Sequence, residues 1–262
     1  MASTPHLRVF PDPGAVARAA ADLLLKESVA AAAANRTYRV ALSGGSTPKR
    51  LYDILATDPY RDKVPWDRIH FFFSDERNVP PDHADSNFGT ARQGLFSKVP
   101  VPAANLHRVL TERPDPAEAA ALYQNAIVAS FAANVEKNTP PTFDLIFLGM
   151  GADGHTASLF PGTPALAERK HWVAANWVEK LQTHRITFTY PLLNRAARVL
   201  FLVTGADKAE RIETIFGPQA LPHAYPAQDV APEPGLLEWY LDAPAAARLS
   251  LPVEGEATAA TP

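Results

Sequence analysis

The hydrophobic positions of the chain form short apolar runs separated by longer stretches rich in alanine and leucine. Four of these runs are continuously apolar and end in glycine or polar residues: Tyr38–Leu42, Ile69–Phe73, 143–148 and 197–204. A continuous apolar run of this length is typical of a strand that is buried on both faces. The pattern therefore predicts four strands of a parallel sheet.

Helical segments are predicted between these strands. Asp12 fits an N-cap and Pro13 the first position of a helix that runs to about Ala34, where Asn35 can end it. Three further helices are predicted over 49–55 (with Pro48 in the first turn), 85–96 and 116–133, and the segment 184–189 alternates like a half-buried strand. Strands that alternate with helices predict an α/β fold in which helices cover both faces of the sheet.

Composition narrows the class of protein. The chain has 262 residues, 47% of them hydrophobic and 20% charged, and a net charge of -3, so nucleic acid is not an expected partner. The absence of cysteine excludes disulfides, zinc–thiolate sites and a cysteine nucleophile. No repeat or long linker divides the sequence, which predicts a single domain over 1–262 with a frayed tail at 254–262.

The same sequence predicts no membrane partner and a cytoplasmic location. The N-terminus lacks the basic and apolar stretches of a signal peptide, and the longest apolar stretch, 29–34, is far too short to span a bilayer. A monomer is expected, with a weak homodimer as the alternative.

Each predicted strand ends in residues that could do chemistry. Because ligands bind at the carboxyl ends of strands in an open parallel sheet, these clusters are expected to meet on one rim. The first cluster is the loop of Ser43, Gly44, Gly45, Ser46 and Thr47, in which glycines allow close backbone approach and a helix N-terminus offers free amides to a phosphate. The alternative is a tight turn with ordinary hydroxyl caps.

Three cationic residues are candidate anion ligands. Arg77 could bind phosphate or a developing oxyanion, oriented by Asp75 or Glu76 beside it. The alternative is a surface ion pair, which is common and contributes little. Arg185 and Lys208 could add positive charge to the same pocket, although on spacing alone each fits a solvated surface cation better.

The segment 149–161, GMGADGHTASLFP, carries the sharpest signal. Its three glycines within six residues imply an unusual backbone path that is shared by Asp153 and His155. Histidine suits proton transfer near neutral pH, and a nearby carboxylate can hold its tautomer. A short helix is predicted to begin over 156–160, and its dipole would disfavour the protonated ring, so we predict a neutral His155 that acts as a base.

Other readings of this segment carry less weight. A loop histidine that caps a helix is the structural alternative, and a metal site is not favoured because no HExxH-type spacing is present. The remaining histidines have no glycine-rich setting and are interpreted as structural: His6, His70, His83, His107, His171 and His223.

Taken together, these segments resemble the 6-phosphogluconolactonase family. The matching stretches occur in the family's order: LSGGSTPKRLYDIL (42–55), FFSDERNVPPDHADSNFGTAR (72–92), FDLIFLGMGADGHTASLFPGTPAL (143–166), RITFTYPLLNRA (185–196) and VTGADKAE (203–210). One glycine turn would be weak evidence, but the ordered set is specific. The resemblance implies a three-layer α/β/α fold with a mainly parallel, Rossmann-like sheet, shared with glucosamine-6-phosphate deaminases and ribose-5-phosphate isomerases.

The resemblance also implies an activity and roles for residues. The reaction is hydrolysis of 6-phospho-D-glucono-1,5-lactone to 6-phosphogluconate, the second step of the oxidative pentose phosphate pathway, with no redox cofactor and no essential metal. His155 is implied to be catalytic with support from Asp153, while Arg77 and Asp75 are further catalytic candidates. The binding candidates are the residues of the 43–47 loop, Arg77, Gly151, Arg185 and Lys208.

Two rival functions remain at this point. A deaminase or isomerase moves a proton between neighbouring carbons and needs a carboxylate base, which Asp75 could supply; the Ser-Asp-Glu-Arg order and the TASLFP segment argue against it. A non-enzymatic sugar-phosphate sensor would predict a fused DNA-binding module, and the chain shows no basic helix–turn–helix region.

Overall fold

The computed structural model describes residues 5–131, 139–252 and 254. Within them the chain forms nine strands: β1 (His6–Phe10), β2 (Tyr38–Leu42), β3 (Ile69–Phe73), β4 (Asp75–Arg77), β5 (Leu145–Leu148), β6 (Val173–Val178), β7 (Thr183–Phe188), β8 (Arg198–Val203) and β9 (Leu236–Asp242). Seven α-helices accompany them in the same residues: α1 (Pro13–Ala33), α2 (Ser46–Leu55), α3 (Tyr60–Lys63), α4 (Asn87–Ala91), α5 (Pro116–Ser130), α6 (Tyr190–Leu193) and α7 (Ala209–Phe216).

The larger sheet has six strands in the order β1-β9-β8-β5-β2-β3, and every pairing in it is parallel. This confirms the predicted parallel sheet. In this order β5 lies between β8 and β2, so the loop after β5 lies between the loops that follow those two strands. The carboxyl ends of β2, β5 and β8 therefore meet at one edge.

Alternate residues of the central strands enter two separate hydrophobic clusters. Val40 and Leu42 of β2 pack with α1 and α2, whereas Ala41 between them packs in the cluster that contains α5 and α7. Because successive strand side chains point to opposite faces, the two clusters are the two sides of the sheet. The predicted three-layer α/β/α arrangement is confirmed.

The smaller sheet was not predicted. It is antiparallel, in the order β4-β7-β6, and only Ser74 separates β4 from the end of β3. The Ser74 N–H donates to the Leu42 carbonyl (2.8 Å) and its own carbonyl accepts from the Phe188 N–H (2.8 Å). The chain thus passes from the large sheet to the small one at a single residue, which carries residues 75–77 to the side of β7.

The ends of several elements differ from the prediction. The helix predicted over 85–96 starts at Asn87, because the Ser86 hydroxyl accepts from the Gly89 N–H and caps it, and it continues as a π-helix over Arg92–Phe96. The helix predicted to reach Ala133 ends at Ser130, and 132–133 lie outside the described residues. The strand predicted over 143–148 begins at Leu145. Before it, the Asp144 carboxylate accepts from the Arg39 N–H (2.8 Å), and the Asp144 N–H donates to the Arg39 carbonyl (3.0 Å).

The predictions for the N-terminal helix and for the C-terminal tail have different outcomes. Helix α1 begins as expected, with the Asp12 carboxylate accepting from the Ala15 N–H at 2.8 Å, and Asn35 follows it with a positive φ of 53°. Of the tail predicted to fray, 254–262, only Glu254 is described; its carboxylate pairs with Arg8. Residues 255–262 lie outside the described residues, and the single-domain assignment stays a prediction.

Candidate active site

A cavity of about 500 Å³ opens at the carboxyl edge of the large sheet. The loops after β2, β5 and β8 form one side, and β4 and β7 of the small sheet form the other. Every candidate residue from the sequence lines it except Glu76 and Asp153, of which Asp153 lies behind His155. Four of its charged lining side chains are cationic and two anionic, in a chain of net charge -3: Arg77, Lys180, Arg185, Lys208, Asp75 and Asp207.

The loop 43–47 has the backbone freedom that close approach needs. Gly45 has a φ of 110° immediately before α2, and a Cβ on Gly44 would lie 1.9 Å from Oδ1 of Asn87. The Ser43 hydroxyl is buried and, among the described residues, has no hydrogen-bond partner. A buried polar atom without a partner is costly, so this hydroxyl is available to a ligand. The feature fits the predicted phosphate loop.

Arg77 and Arg185 stand opposite each other on β4 and β7. Like charges in directly opposed strand positions destabilise a sheet, which makes this pair unusual unless an anion joins it. Burial and the Arg77 guanidinium lower the pKa of Arg185. Arg77 donates from Nη1 to the Asp85 carbonyl at 2.7 Å, so a backbone carbonyl orients it and not the carboxylates expected from the sequence.

The two carboxylates beside Arg77 have separate environments. Asp75 lines the cavity and accepts from the Ser158 hydroxyl at 2.7 Å and from the Asn87 side-chain amide at 3.2 Å. Glu76 points instead to the start of α4, where it accepts from the N–H groups of Asn87 (2.7 Å) and Phe88 (2.8 Å). Burial raises the pKa of Glu76 against the opposing effect of these hydrogen bonds. Glu76 is therefore a structural cap.

The loop after β5 folds back on itself around His155. The Gly151 N–H donates to the His155 carbonyl at 2.9 Å, and a Cβ on Gly151 would lie 2.1 Å from the His155 ring. Gly154 has a φ of 76°. The ring then stacks on Phe160 with centroids 4.0 Å apart. A side chain on Gly151 would collide with the imidazole, so glycine is required at this position. The backbone of the loop places the imidazole in the cavity wall.

The helix predicted over 156–160 is absent from this described segment. Residues 156–159 form a turn closed by an isolated bridge between Thr156 and Leu159, with Ala157 at a φ of 46°. The Thr156 hydroxyl donates to the Gly149 carbonyl (2.9 Å), which draws the segment back to the end of β5 and prevents helical continuation. The dipole argument for a neutral His155 was wrong, and its electrostatics come from neighbouring side chains.

Asp153 is the nearest of these neighbours. Its Oδ1 lies 2.5 Å from Nδ1 of His155, and its Oδ2 pairs with the ammonium of Lys180. Burial acts to raise the pKa of Asp153, but the Lys180 ammonium and the His155 ring outweigh it and hold that pKa well below its ordinary value. Asp153 is therefore ionised and fixes one ring nitrogen of the histidine.

The loop after β8 contributes Lys208 to the lining of the cavity. Gly205 has a φ of 104°, and its N–H donates to the buried Asp242 carboxylate at 3.0 Å. Lys208 contacts Asp207 and is largely buried, with 17% of its side chain exposed. The Thr47 and Thr204 hydroxyls are 2.7 Å apart and connect this loop to the phosphate-loop candidate.

Two residues of the site were missed from the sequence. Lys180 lies between β6 and β7 in a segment that has no glycine and no motif, so its pattern is that of a surface lysine. Asn87 contacts both Gly44 and Asp75 from the first turn of α4, and the only signal was its place in the DSNFG stretch. None of the six histidines interpreted as structural lines the cavity.

Metal and membrane features were searched for over the described ranges. No group of three or more His, Asp or Glu side chains there could hold a metal ion. No helix within those ranges is long and apolar enough to cross a bilayer.

Comparison with known proteins identifies the family. Residues 11–239 match the family described as glucosamine-6-phosphate isomerases/6-phosphogluconolactonase. The chain is 42% identical to a 6-phosphogluconolactonase from a Nostoc species over 245 residues, which covers 94% of this chain and 98% of that protein. It is 47% identical to a 6-phosphogluconolactonase from a Synechocystis species over 203 residues, covering 78% of this chain and 81% of that protein.

A solved structure agrees with this match. The 6-phosphogluconolactonase from Trypanosoma cruzi superimposes with a TM-score of 0.82 at 28% identity, covering 96% of this chain and 99% of that one.

Proposed function

Because the chain belongs to the glucosamine-6-phosphate isomerase/6-phosphogluconolactonase family, we propose that it hydrolyses 6-phospho-D-glucono-1,5-lactone to 6-phosphogluconate. This is the second step of the oxidative pentose phosphate pathway. The observation that carries the proposal is the convergence of the His155–Asp153 pair and a surplus of cations on one cavity. A phosphorylated lactone is an anion with one electrophilic carbonyl, and the cavity offers a partner for each part.

The cations and the 43–47 loop are proposed to bind the phosphate. The unpartnered Ser43 hydroxyl, the amides at the start of α2 and the Arg185 and Lys208 side chains can each donate to phosphate oxygens. Arg185 is the strongest candidate, since an anion would relieve its repulsion from Arg77. Binding at this end leaves the lactone carbon to be placed near the imidazole.

His155 is proposed to act first as base and then as acid. Its free ring nitrogen takes a proton from water, and the resulting hydroxide attacks C1 to give a tetrahedral oxyanion. The C1–O bond of the ring then breaks, and the proton passes from the imidazolium to the departing ring oxygen, which becomes a hydroxyl group. The carboxylic acid that forms at C1 ionises, so the protons balance over the cycle.

Asp153 and Arg77 are proposed to assist these steps. Asp153 holds Nδ1 of His155, which fixes the tautomer and stabilises the imidazolium between the two proton transfers. Arg77 or the amides of the loop after β5 stabilise the oxyanion. No nucleophilic serine is needed: the Ser158 hydroxyl already donates to Asp75, and water attack accounts for the product.

A coupled assay tests the function directly. Freshly generated 6-phosphogluconolactone is hydrolysed in the presence of 6-phosphogluconate dehydrogenase, and NADPH formation is compared with the rate of spontaneous hydrolysis. Glucosamine 6-phosphate and ribose 5-phosphate serve as the substrates of the rival deaminase and isomerase. Activity on either of these alone would reject the lactonase assignment and favour Asp75 as a base.

The monomer expected from the sequence is part of the same proposal. Light scattering coupled to gel filtration should return a mass near the 28.4 kDa of one chain. A mass near twice that value would favour the homodimer.

A further inference from the structure

Lys180 is one corner of a closed cluster around the proposed catalytic base. Its ammonium pairs with Oδ2 of Asp153, whose other oxygen holds Nδ1 of His155. The same ammonium lies 4.6 Å from the centroid of the Phe160 ring, and that ring stacks on the imidazole at 4.0 Å. Lys180 therefore reaches His155 by two routes, through a shared carboxylate and through a shared aromatic ring.

We propose that Lys180 is a positioning residue that shares Asp153 with His155 and thereby opposes protonation of the imidazole. The proposal rests on the proposed function, in which His155 must accept a proton from water. The sequence analysis expected a helix dipole to disfavour the protonated ring, but residues 156–159 form a turn. Lys180 takes the place of that dipole.

Electrostatics give the direction of the effect. A lone carboxylate beside an imidazole favours the imidazolium, because the opposite charges attract. With Lys180 on its second oxygen, Asp153 is already neutralised, so a proton on His155 would leave the cluster with a net positive charge. Other cations of the cavity act in the same direction, and two carboxylates oppose them. The other charged groups that line the cavity with His155 are Arg77, Arg185 and Lys208, with Asp75 and Asp207.

Geometry gives a second consequence. Asp153 is only partly buried, with 33% of its side chain exposed, so it has other conformations available to it. Contacts with both Lys180 and His155 restrict that freedom, and the cation over Phe160 also fixes the ring on which the imidazole stacks. Loss of the ammonium should therefore alter both the protonation and the orientation of His155.

The competing role for Lys180 is direct contact with the substrate. The residue lines the cavity, and 52% of its side chain is exposed, so it could bind a lactone hydroxyl or phosphate oxygen. A substrate ligand would raise KM on removal and would leave the ionisation of His155 in the free protein unchanged. The two roles therefore separate in a measurement made without substrate.

The experiment titrates the His155 ring by NMR in the free protein at low salt. Wild type is compared with Lys180→Met, which removes the charge, and with Lys180→Arg, which retains it; His155→Asn assigns the signal. Lys180→Met should move the titration midpoint upward by about half a pH unit or more, and Lys180→Arg should restore most of it. The acid limb of kcat/KM should move upward by the same amount.

A matched control is Lys170→Met, because Lys170 is exposed and does not line the cavity. It should leave both midpoints unchanged. An unmoved His155 midpoint in Lys180→Met, with or without an increase in KM, would overturn the proposal. A variant that does not fold, judged by circular dichroism, is replaced by Lys180→Gln, for which the same outcomes apply.

The two proposals fail separately. A shifted His155 midpoint in a chain without lactonase activity would reject the proposed function and retain the interaction of Lys180 with His155. Full lactonase activity with an unshifted midpoint would do the reverse.

Discussion

At the amino end of the parallel sheet charged side chains pair with one another, whereas in the cavity beyond its carboxyl end two arginines occupy opposed positions of the small sheet. Arg198, at the start of β8, pairs with Glu27 at 2.9 Å and with Glu238, and the Tyr38 hydroxyl donates to Glu27 at 2.7 Å. At the other end, Arg77 and Arg185 oppose each other, and the Ser43 hydroxyl has no partner in the described part of the chain.

The comparison distinguishes charged residues that stabilise the fold from charged residues that are placed to bind a ligand. A buried charge needs a partner, and where the protein supplies none the partner must come from outside. Substitutions at the carboxyl end should therefore reduce catalysis or binding and leave stability nearly unchanged. Substitutions at the amino end should do the opposite.

The largest effect is expected at His155. His155→Ala should lower kcat by about 10²–10⁴-fold with a much smaller change in KM, because the variant lacks the general base but keeps the phosphate ligands. The free energy of unfolding should stay within about 1 kcal/mol of wild type, since the ring is at a cavity wall. The coupled assay and urea unfolding measure the two quantities.

The exposed His171 provides the control for that variant. His171→Ala should retain wild-type kcat. Near-wild-type turnover in His155→Ala would reject its role as general base. It would also remove the main catalytic difference between the carboxyl and amino ends of the sheet.

A smaller loss of kcat is expected from Gly151→Ala. The new methyl group would lie 2.1 Å from the His155 ring and would push the imidazole away from Asp153. A displacement of this kind should lower kcat by about 100-fold. The control is Ala152→Ser, because the exposed Ala152 lies in the same loop and does not line the cavity. Equal kcat values in the two variants would show that the position of the ring does not limit turnover.

The sharpest test of the comparison is a matched pair of arginines. Arg185→Met should raise KM by about 10–100-fold through loss of charge-assisted hydrogen bonds to phosphate. Its free energy of unfolding should stay the same or increase, because the repulsion from Arg77 disappears.

Arg198→Met should show the reverse behaviour. It leaves Glu27 and Glu238 without their cation and should lower the free energy of unfolding by about 1–3 kcal/mol with unchanged kinetics. Urea unfolding and KM measurements on both variants complete the test. A stability loss in Arg185→Met equal to that in Arg198→Met would contradict the division between the two ends.

The smallest expected effect is on the pH dependence of stability, and it arises from a histidine pair near the amino end of β3. His70 Nδ1 and His107 Nε2 lie 3.0 Å apart, and burial, with a contribution from His70, lowers the pKa of His107 to about 4. The unfolded chain takes up this proton near pH 6.5, so stability is fully present above about pH 6.5 and falls as pH drops toward about 4.

His107→Gln should reduce this loss. After allowance for solvent access, the difference in unfolding free energy between pH 7 and pH 5 should shrink by about 1 kcal/mol. Urea unfolding at the two pH values measures it, with the exposed His6→Gln as control. An unchanged pH dependence in His107→Gln would show that the pair does not couple protonation to folding.

The sequence predicted the parallel part of the fold because apolar runs and caps are local signals. Asp12, Pro13 and Asn35 delimit α1 without help from the rest of the chain. The small sheet was missed because β4 has only three residues, DER, and forms through pairing with the distant β7. A short polar strand has no periodicity to detect.

The candidate site divides in the same way. Residues in glycine-rich segments were found, since glycine marks a backbone that must approach something closely. Lys180 was missed because its role depends on contacts with Asp153 and Phe160, neither of which is near it in sequence. The error over 156–160 arose because threonine and serine suit both helix starts and turns, and the Gly149 carbonyl decided between them.

The single-residue link at Ser74 has a kinetic consequence. Its hydrogen bonds to Leu42 and Phe188 fasten the two walls of the cavity to each other, so neither sheet can swing away without breaking main-chain pairing. Ligands should therefore exchange through side-chain movements on the picosecond–nanosecond scale, without a slow closure of one layer over the other. Stopped-flow binding of 6-phosphogluconate should then show one phase, with a rate that rises linearly with ligand concentration.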